Sequence, residues 1–212
     1  PCTNTNTNHD IDIYFFENPD ILITEMYDAS VLITKHRYTD EYEQIEKSGI
    51  YCVQFMPFRN DIQGMETLNW WRKSCNNWCF SYFEDGKFGD QKYLDDWPER
   101  FKGVHVSNNL GGGVAPWNVQ QNNFSIELPG VKGVEVLTKK TFPVIFYHFH
   151  ALKFLKGGGI DLGTYKLSKE SLSLLYKPYI MHISRIENYL ESLENYNYRE
   201  VSADQTFWLK KI

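Results

Sequence analysis

The stretch Asp10-Ile-Asp-Ile-Tyr-Phe-Phe16 sets two carboxylates, one residue apart, directly in front of an apolar run. The run predicts a buried strand, and in an extended backbone Asp10 and Asp12 point to the same side. Carboxylates on one face at a strand end can hold a hard divalent cation and leave coordination positions for the oxygens of a phosphorylated ligand. An Asp-x-Asp triplet also occurs in solvated turns before strands, so both interpretations stay open on these residues alone.

The composition is that of an ordinary globular protein. With 212 residues, of which 42% are apolar and 16% aromatic, the chain can bury a substantial core in one domain, with or without a helical appendage. The net charge of −5 provides no basic excess to neutralise a phosphate backbone, which argues against general nucleic-acid binding.

The cysteines and the apolar runs indicate a reduced, cytoplasmic protein. Cys2, Cys52, Cys75 and Cys79 lack the paired spacing of a metal finger, and we interpret them as reduced core thiols, with Cys75 and Cys79 on one face of a helix. Residues 1–10 carry no charged-then-apolar leader, and no apolar run approaches the roughly 18 residues of a membrane span. Neither secretion nor membrane spanning is therefore expected.

Short apolar runs rich in β-branched residues alternate with helical patterns, which predicts the α/β class. The predicted strands are Ile11–Phe16, Ala29–Thr34, Ile50–Phe58, Val104–Ser107 and Val144–His150. The clearest helix follows the capping residues Asn60 and Asp61 and carries apolar residues at three- and four-residue steps from Met65 to Tyr82. Its aromatic face is interpreted as core, so no catalytic role is given to Trp70, Trp71 or Trp78.

Further elements are predicted towards the C terminus. Alternating runs on either side of Pro129-Gly-Val-Lys-Gly133 indicate a hairpin. Beyond Ser168, apolar residues recur at helical spacing as far as Leu193, and Pro178 is expected to kink the run or divide it into two packed helices. Residues 195–212 are expected to dock on the protein or fray.

The Thr/Asn alternation of residues 3–8 is interpreted as a low-complexity segment. Nothing before the Asp-x-Asp triplet has the strand-helix-strand pattern that usually builds a nucleotide pocket. The chain is therefore expected to begin in the middle of a fold.

Two histidines end an apolar strand at His148-Phe-His150 and face the same side if the strand is regular. Each can offer a neutral nitrogen to a metal ion, although a buried histidine is more often only hydrogen-bonded. The carboxylates of Asp10 and Asp12 with one imidazole would suit Mn²⁺, which accepts oxygen and nitrogen ligands. Zn²⁺ is less favoured, because no thiolate pair accompanies them.

Two other segments carry side chains suited to a sugar. Asp90-Gln91 joins a carboxylate to a carboxamide at a turn and could bind several hydroxyls, or Asp90 simply caps the helix that follows. Gly111-Gly-Gly113 predicts a mobile backbone, and after it Trp117 could stack on a sugar face while Asn118 binds hydroxyls. The alternative is that Trp117 and Asn118 only pack.

A cationic turn, Lys35-His-Arg37, follows the predicted strand Ala29–Thr34. It could meet a phosphate group, which makes His36 a candidate for substrate binding. Solvation of the whole turn is the favoured alternative.

Several longer phrases together resemble a family of bacterial nucleotide-sugar glycosyltransferases with the GT-A fold, similar to the glycogenin-like and lipopolysaccharide galactosyltransferase-like enzymes. The phrases are Asp10–Pro19, Ala29–His36, Phe88–Pro98, Ala115–Asn118 and Phe146–His150. The resemblance covers most of the chain from Asp10 to about Tyr179.

The resemblance implies roles for particular residues. Asp10 and Asp12 would bind the metal that grips the donor diphosphate, and His148 would be the metal-ligand histidine. Asp90-Gln91 would contact the transferred sugar near the reacting carbon. The residues expected to bind substrate are His36, Trp117, Asn118 and His150. Two departures are Ala151, where the family has Gly in His-x-x-Gly, and Cys52-Val-Gln54, where relatives often have Asn-x-Gly.

By this resemblance the reaction moves a hexose from a nucleoside-diphosphate sugar, a UDP-hexose, to a hydroxyl of a carbohydrate or glycolipid acceptor. The implied cofactor is Mn²⁺ or Mg²⁺, the implied process is surface polysaccharide or lipopolysaccharide synthesis, and the likeness leans towards retention of configuration. Peripheral contact with the inner face of the membrane is compatible with it.

The expected fold is a GT-A-like mixed sheet flanked by helices and N-terminally truncated, with residues 1–166 as catalytic domain and 167–212 as a C-terminal helical extension. The alternative function is a non-catalytic carbohydrate-binding remnant of such a transferase. A metal-dependent hydrolase that uses Asp10, Asp12 and His148 is a third hypothesis, but it lacks an evident general base beyond Asp90.

Overall fold

A computed structural model describes residues 5–155 and 158–194. The strands, in chain order, are β1 Thr5–His9, β2 Ile13–Phe15, β3 Val31–Lys35, β4 Tyr51–Cys52, β5 Phe55–Arg59, β6 Val104–Val106, β7 Gly112–Val114, β8 Asn122–Glu127, β9 Gly130–Glu135, β10 Thr141–Pro143, β11 Phe146–His148, β12 Lys153–Phe154 and β13 Ile160–Asp161. The α-helices are α1 Asp20–Glu25, α2 Ile62–Asn77, α3 Trp97–Arg100, α4 Lys169–Ser171 and α5 Lys177–Glu194. Short 3₁₀ helices lie at Glu43–Ser48, Gln91–Leu94 and Val119–Gln121. This mixture of strands and helices confirms the predicted α/β class.

The larger sheet has the strand order β1-β5-β3-β4, with β6 beside β3. The β3–β6 pair is parallel and the other pairs are antiparallel. In β3 the run Val31–Thr34 is fully buried, because the sheet is covered on both faces, and such strands have continuous apolar sequence rather than alternation.

The Thr/Asn alternation supplies a strand that was not predicted, since β1 pairs with β5 from Thr5–Arg59 to His9–Phe55. A β-branched residue at every second position suits a strand. One prediction about this sheet is wrong. The predicted strand Ile50–Phe58 is divided into β4 and β5, because the chain turns at Gln54 and directs its side chain into the interior.

The helix α2 begins where its capping residue predicts. The Asp61 carboxylate accepts a hydrogen bond from the Gly64 amide at 2.8 Å. The helix ends at Asn77, because the backbone of Trp78 is extended. Cys75 and Cys79 therefore do not share a helix face, and the prediction that Cys79 is a core thiol is wrong, since it is exposed.

A smaller sheet has β11 at its centre, antiparallel to β2 and parallel to β7. The prediction of a mobile glycine segment is wrong, because the residues of β7 are buried. A Cβ atom on Gly111 would lie 1.8 Å from the Pro143 carbonyl oxygen, and one on Gly112 would lie 2.5 Å from Leu22 Cδ2. The glycines are thus required for close packing rather than for motion.

The predicted hairpin is confirmed in outline, with β8 and β9 joined by Leu128 and Pro129. Its second strand begins at Gly130, four residues earlier than predicted, because the loop is only two residues long. The strand β10 extends it to three strands.

The C-terminal helices form one continuous helical run rather than the two packed helices predicted. A π-helical segment, Leu172–Tyr176, joins α4 to α5. Proline lacks an N–H group and its ring crowds the carbonyl four residues earlier, and the wider π turn before Pro178 accommodates this without dividing the run. Leu175 and Tyr176 pack with Tyr147 in one buried cluster.

Residues 195–212 and Cys2 lie outside the described residues, so what is predicted for them stays a prediction. Within the described ranges, none of the helices is both long enough and apolar enough to span a bilayer. The division into residues 1–166 and 167–212 stays a prediction.

Candidate functional site

Strand pairing brings Asp10, Asp12 and His148 together. The chain turns between β1 and β2 instead of staying extended as predicted, and Ile11 is 98% exposed in this turn. The pairing of β11 with β2 sets His148 opposite Ile13. As a result, Nε2 of His148 lies 3.2 Å from Oδ1 of Asp12 and 3.9 Å from Oδ2 of Asp10.

Backbone hydrogen bonds anchor the turn that carries the two carboxylates. The Asp10 amide donates to the Gln54 carbonyl at 3.0 Å, and the Phe149 amide donates to the Asp12 carbonyl at 2.8 Å. Both carboxylates therefore extend from backbone that is fixed to the two sheets.

Gln54 determines which nitrogen of His148 faces the carboxylates. Oε1 of Gln54 lies 3.1 Å from Nδ1 of the imidazole, while Nε2 of Gln54 donates to Oγ1 of Thr34 at 3.1 Å. An amide oxygen only accepts hydrogen bonds, so Nδ1 carries a hydrogen and Nε2 points at the carboxylates. In the neutral ring the Nε2 lone pair then faces Asp12, and the two repel unless a cation or a proton lies between them.

The electrostatics of this site favour an ionised Asp12 and a neutral His150. Partial burial acts to raise the pKa of Asp12, but the hydrogen bond and charge that His148 supplies when it is protonated outweigh it, so this pKa lies below its ordinary value. Partial desolvation of the imidazole and the charge of His148 lower the pKa of His150, although part of this residue is exposed.

Cys52 lies beside these residues, a position that no local sequence pattern indicates. It is 2% exposed, and β4 sets it opposite Thr34. One ligand atom each from Asp10, Cys52 and His148 all lie within 4.8 Å of one another. Burial raises the pKa of the Cys52 thiol, and the charges of nearby aspartates raise it further.

Trp117 connects three of the predicted residues. Its ring centroid lies 5.1 Å from that of His148, 5.5 Å from that of His150 and 5.3 Å from that of His36. Trp117 is 4% exposed, and its indole N–H donates to the His36 carbonyl at 2.8 Å. These contacts favour the packing alternative, whereas His150 is exposed just beyond the end of β11.

Asn118 is likewise engaged with the protein itself. It is 4% exposed. Its Nδ2 donates to the carbonyls of His36 at 2.8 Å and Gly113 at 2.9 Å, and its Oδ1 accepts from the Ala115 amide at 3.0 Å. Contact between Asn118 and a sugar stays a prediction, and the packing alternative is again favoured.

His36 is buried rather than solvated. It is 2% exposed, its Nδ1 lies 3.3 Å from the Ile50 carbonyl, and its ring stacks on Tyr38 at 4.8 Å between centroids. Burial lowers the pKa of His36 to about 4, so the ring is neutral at physiological pH. A neutral imidazole offers no charge to a phosphate group.

Arg37 is also held inside the protein, so the prediction of a solvated cationic turn is right only for Lys35, which is exposed. The guanidinium of Arg37 donates to backbone carbonyls, which replace water: Ser107 at 3.4 Å, Asn109 at 2.8 Å and Leu110 at 3.3 Å.

Asp90 and Gln91 approach the same group of residues. The Gln91 side chain is close enough to His36 to act on the pKa of its ring, and its Nε2 donates to the Ser48 carbonyl at 3.4 Å. The interpretation of Asp90 as a helix cap is wrong, because its carboxylate makes no capping hydrogen bond to the 3₁₀ helix that follows. Its charge adds to the effect of burial on the Cys52 thiol.

The donor set fits a divalent cation. Asp10 and Asp12 offer oxygen and His148 offers an oriented nitrogen, a combination that Mn²⁺ accepts. A metal-binding histidine usually donates its other ring nitrogen's hydrogen to a nearby acceptor. Gln54 provides that acceptor for His148.

The chain is similar to two curated proteins of Bacillus subtilis (strain 168). It is 30% identical to the uncharacterized protein YfnD over 181 residues, which cover 83% of the chain and 56% of YfnD. It is 28% identical to the uncharacterized protein YfnF over 192 residues, which cover 87% of the chain and 61% of YfnF. The chain thus spans little more than half the length of the curated relatives it matches. No family model and no solved structure matches it.

Proposed function

We propose that the chain acts as a metal-dependent glycosyltransferase that moves a hexose from a nucleoside-diphosphate sugar to an acceptor hydroxyl. The observation that carries the proposal is the convergence of Asp10 and Asp12 on Nε2 of His148, at 3.9 and 3.2 Å. The proposed donor is a UDP-hexose, and the acceptor is a carbohydrate or glycolipid of surface polysaccharide or lipopolysaccharide synthesis. The proposed location is the cytoplasm, at the inner face of the membrane.

A GT-A-like fold is part of this proposal. The parallel pairs β3–β6 and β11–β7, each within a sheet that also has antiparallel pairs, are compatible with the mixed sheet expected of that fold. The Asp-x-Asp turn stands at the start of β2, which pairs with the strand that ends in His148.

Asp10, Asp12 and His148 would hold Mn²⁺ or Mg²⁺. Such an ion, when bound, supplies positive charge that stabilises a leaving diphosphate. Gln54 orients the His148 ring for this role, and the lowered pKa of Asp12 keeps its carboxylate ionised at neutral pH.

Asp90 and Gln91 would contact the transferred sugar. Asp90 is half-buried and its carboxylate makes no capping bond, so it can accept hydrogen bonds from hydroxyl groups. Gln91 is positioned by its hydrogen bond to the Ser48 carbonyl. Groups fixed in this way position a substrate at low entropic cost.

A second candidate function is carbohydrate binding without catalysis. Phe80 and Tyr82 are about half exposed, at 53% and 50%, and their rings stack at 5.5 Å between centroids. Exposed aromatic rings present apolar faces on which a sugar ring can pack. This candidate predicts saccharide binding that needs no cation.

Calorimetric titration of the chain with Mn²⁺, followed by UDP and UDP-hexoses, tests the proposal. The comparison variants are Asp10→Ala/Asp12→Ala and, as a control, the exposed Asp28→Ala. We expect Mn²⁺-dependent nucleotide binding in the wild type and the control, and none in the double variant. Mn²⁺ binding without nucleotide binding would contradict transfer by this chain as it stands. Saccharide binding without Mn²⁺ would favour the second candidate.

A further inference from the structure

We propose that Cys52 is a metal ligand of this site and gives it a preference for thiophilic divalent cations, Zn²⁺ and Co²⁺. The inference rests on the cation site of the proposed function and extends it to a residue that the Asp-x-Asp triplet does not include. Thiolate sulfur is a soft ligand that selects such ions over Mg²⁺ and Mn²⁺.

The geometry brings the three donors within reach of one ion. Ligand atoms of Asp10, Cys52 and His148 lie within 4.8 Å of one another. On one tetrahedral Zn²⁺ the corresponding atoms lie about 3.5 Å apart, given metal–ligand bonds of about 2.0 to 2.3 Å. A shift of about 1 Å closes the difference. Asp10 lies half-buried on a turn, and Cys52 and His148 are buried on strands.

A bound cation would compensate the thiolate charge of Cys52, which its apolar surroundings and the nearby carboxylates otherwise disfavour. Ala115 and Trp117 pack around it as an apolar cluster, while Asp10 and His148 stand near its sulfur. When the ion binds, the S–H bond breaks, the S–metal bond forms and one proton passes to the solvent. No oxidant or reductant is required.

Two overlapping donor sets result. Asp10, Asp12 and His148 form a harder set with two carboxylates, whereas Asp10, Cys52 and His148 form a softer one. The sets share two ligands, so one ion excludes the other, and Zn²⁺ is expected to displace Mn²⁺. Three protein ligands leave a fourth position of a tetrahedral ion for an exogenous oxygen.

The test is titration of the full chain with Co²⁺ under a phosphine reductant, followed by absorption spectroscopy. We expect a near-ultraviolet thiolate-to-cobalt charge-transfer band in the wild type. In Cys52→Ser the band is lost, and the affinity for Co²⁺ falls by about tenfold or more. The control is Cys2→Ser/Cys75→Ser/Cys79→Ser, which removes the other thiols and keeps the band.

Three results would overturn the inference. They are cobalt binding to the wild type without the band, a band that persists in Cys52→Ser, and no cobalt binding at all. Cadmium-113 NMR of the unmodified chain gives a second test that no folding defect can affect. A resonance in the range of oxygen and nitrogen ligands alone would also overturn the inference.

The Mn²⁺ and UDP titrations separate this inference from the proposed function. A thiolate band without Mn²⁺-dependent nucleotide binding would support Cys52 as a ligand and contradict the transferase. Nucleotide binding that depends on Mn²⁺ and Asp12, without a thiolate band, would support the transferase and contradict Cys52 as a ligand.

Discussion

Oε1 of Gln54 lies 3.1 Å from Nδ1 of His148, although 94 residues separate the two along the chain. Because Thr34 engages the amide nitrogen of Gln54, the imidazole has one hydrogen-bonded orientation, with Nε2 towards Asp12. The geometry of the candidate site thus depends on a residue that offers no ligand atom of its own to a cation. Four predictions follow from this arrangement and from the packing around it.

Replacement of Gln54 by Met removes the acceptor for Nδ1 at similar volume. We expect the affinity for Mn²⁺ to fall by about 10- to 100-fold, the range typical of lost partners of metal-binding histidines. Isothermal titration calorimetry measures it, with the exposed Gln44→Met as control. Unchanged affinity in Gln54→Met would show that Gln54 does not orient the ring.

Replacement of Gly113 by Ala crowds the amide nitrogen of Gln54, which donates to Thr34. The new Cβ would lie 2.8 Å from Nε2 of Gln54, at a backbone φ of +128°. We expect a loss of about 2 kcal/mol in unfolding free energy, measured by urea denaturation, together with weaker Mn²⁺ binding.

The matched control for that change is Gly86→Ala. Gly86 also has a positive φ, +76°, but a Cβ there meets nothing within 4 Å. The Gly86→Ala variant therefore introduces backbone strain but no steric contact, so we expect a smaller destabilisation and unchanged Mn²⁺ affinity. Equal effects of the two variants on Mn²⁺ affinity would contradict the role given to Gly113.

Replacement of Asn118 by Leu distinguishes packing from sugar binding. The change removes the hydrogen bonds of Asn118 with the Gly113 and His36 carbonyls and with the Ala115 amide. The His36 carbonyl keeps the indole N–H of Trp117 as a donor. We expect the unfolding free energy to fall by about 3 kcal/mol, against about 0.5 kcal/mol or less for Asn123→Leu on the exposed face of β8. Near-native stability of Asn118→Leu with weaker saccharide binding would support a sugar-contacting role instead.

His36 makes stability depend on pH. Burial lowers its pKa to about 4 in the folded chain, whereas the unfolded value is about 6.5. Between these values the unfolded state binds more protons, so stability falls as the pH decreases from 6.5 to 4 and is unaffected by this group above 6.5. The loss amounts to about 3 kcal/mol by pH 4.

Urea unfolding at several pH values in the presence of a chelator measures this effect. The variant His36→Gln should lose most of the dependence in that window, while the exposed His182→Gln should keep it. Parallel curves for the wild type and His36→Gln would contradict the assignment.

Local patterns predicted the elements that carry the candidate site, but not the contacts among them. The apolar runs after Asp12 and before His148 predict two strands, yet their pairing depends on a register, His148 opposite Ile13, that no local pattern encodes. The position of Cys52 at the site could not be predicted for the same reason, since it approaches Asp10 and His148 only through long-range strand pairing.

Errors arose where tertiary contacts override local preference. Gln54 interrupts an otherwise apolar run because its amide bonds Thr34 and His148 in the interior. The charge of Arg37 suggested solvent, but backbone carbonyls satisfy the guanidinium. Triple glycine suggested mobility at Gly111, where a close backbone contact excludes a side chain.

The most direct test of the central claim is pulsed electron paramagnetic resonance of the chain loaded with Mn²⁺. Electron spin echo envelope modulation detects a nitrogen bound directly to the ion. We predict a directly bound imidazole nitrogen in the wild type and in His150→Gln, and its loss in His148→Gln. A Mn²⁺-loaded wild type without that modulation, or a His148→Gln variant that retains it, would contradict a cation site built on Asp10, Asp12 and His148.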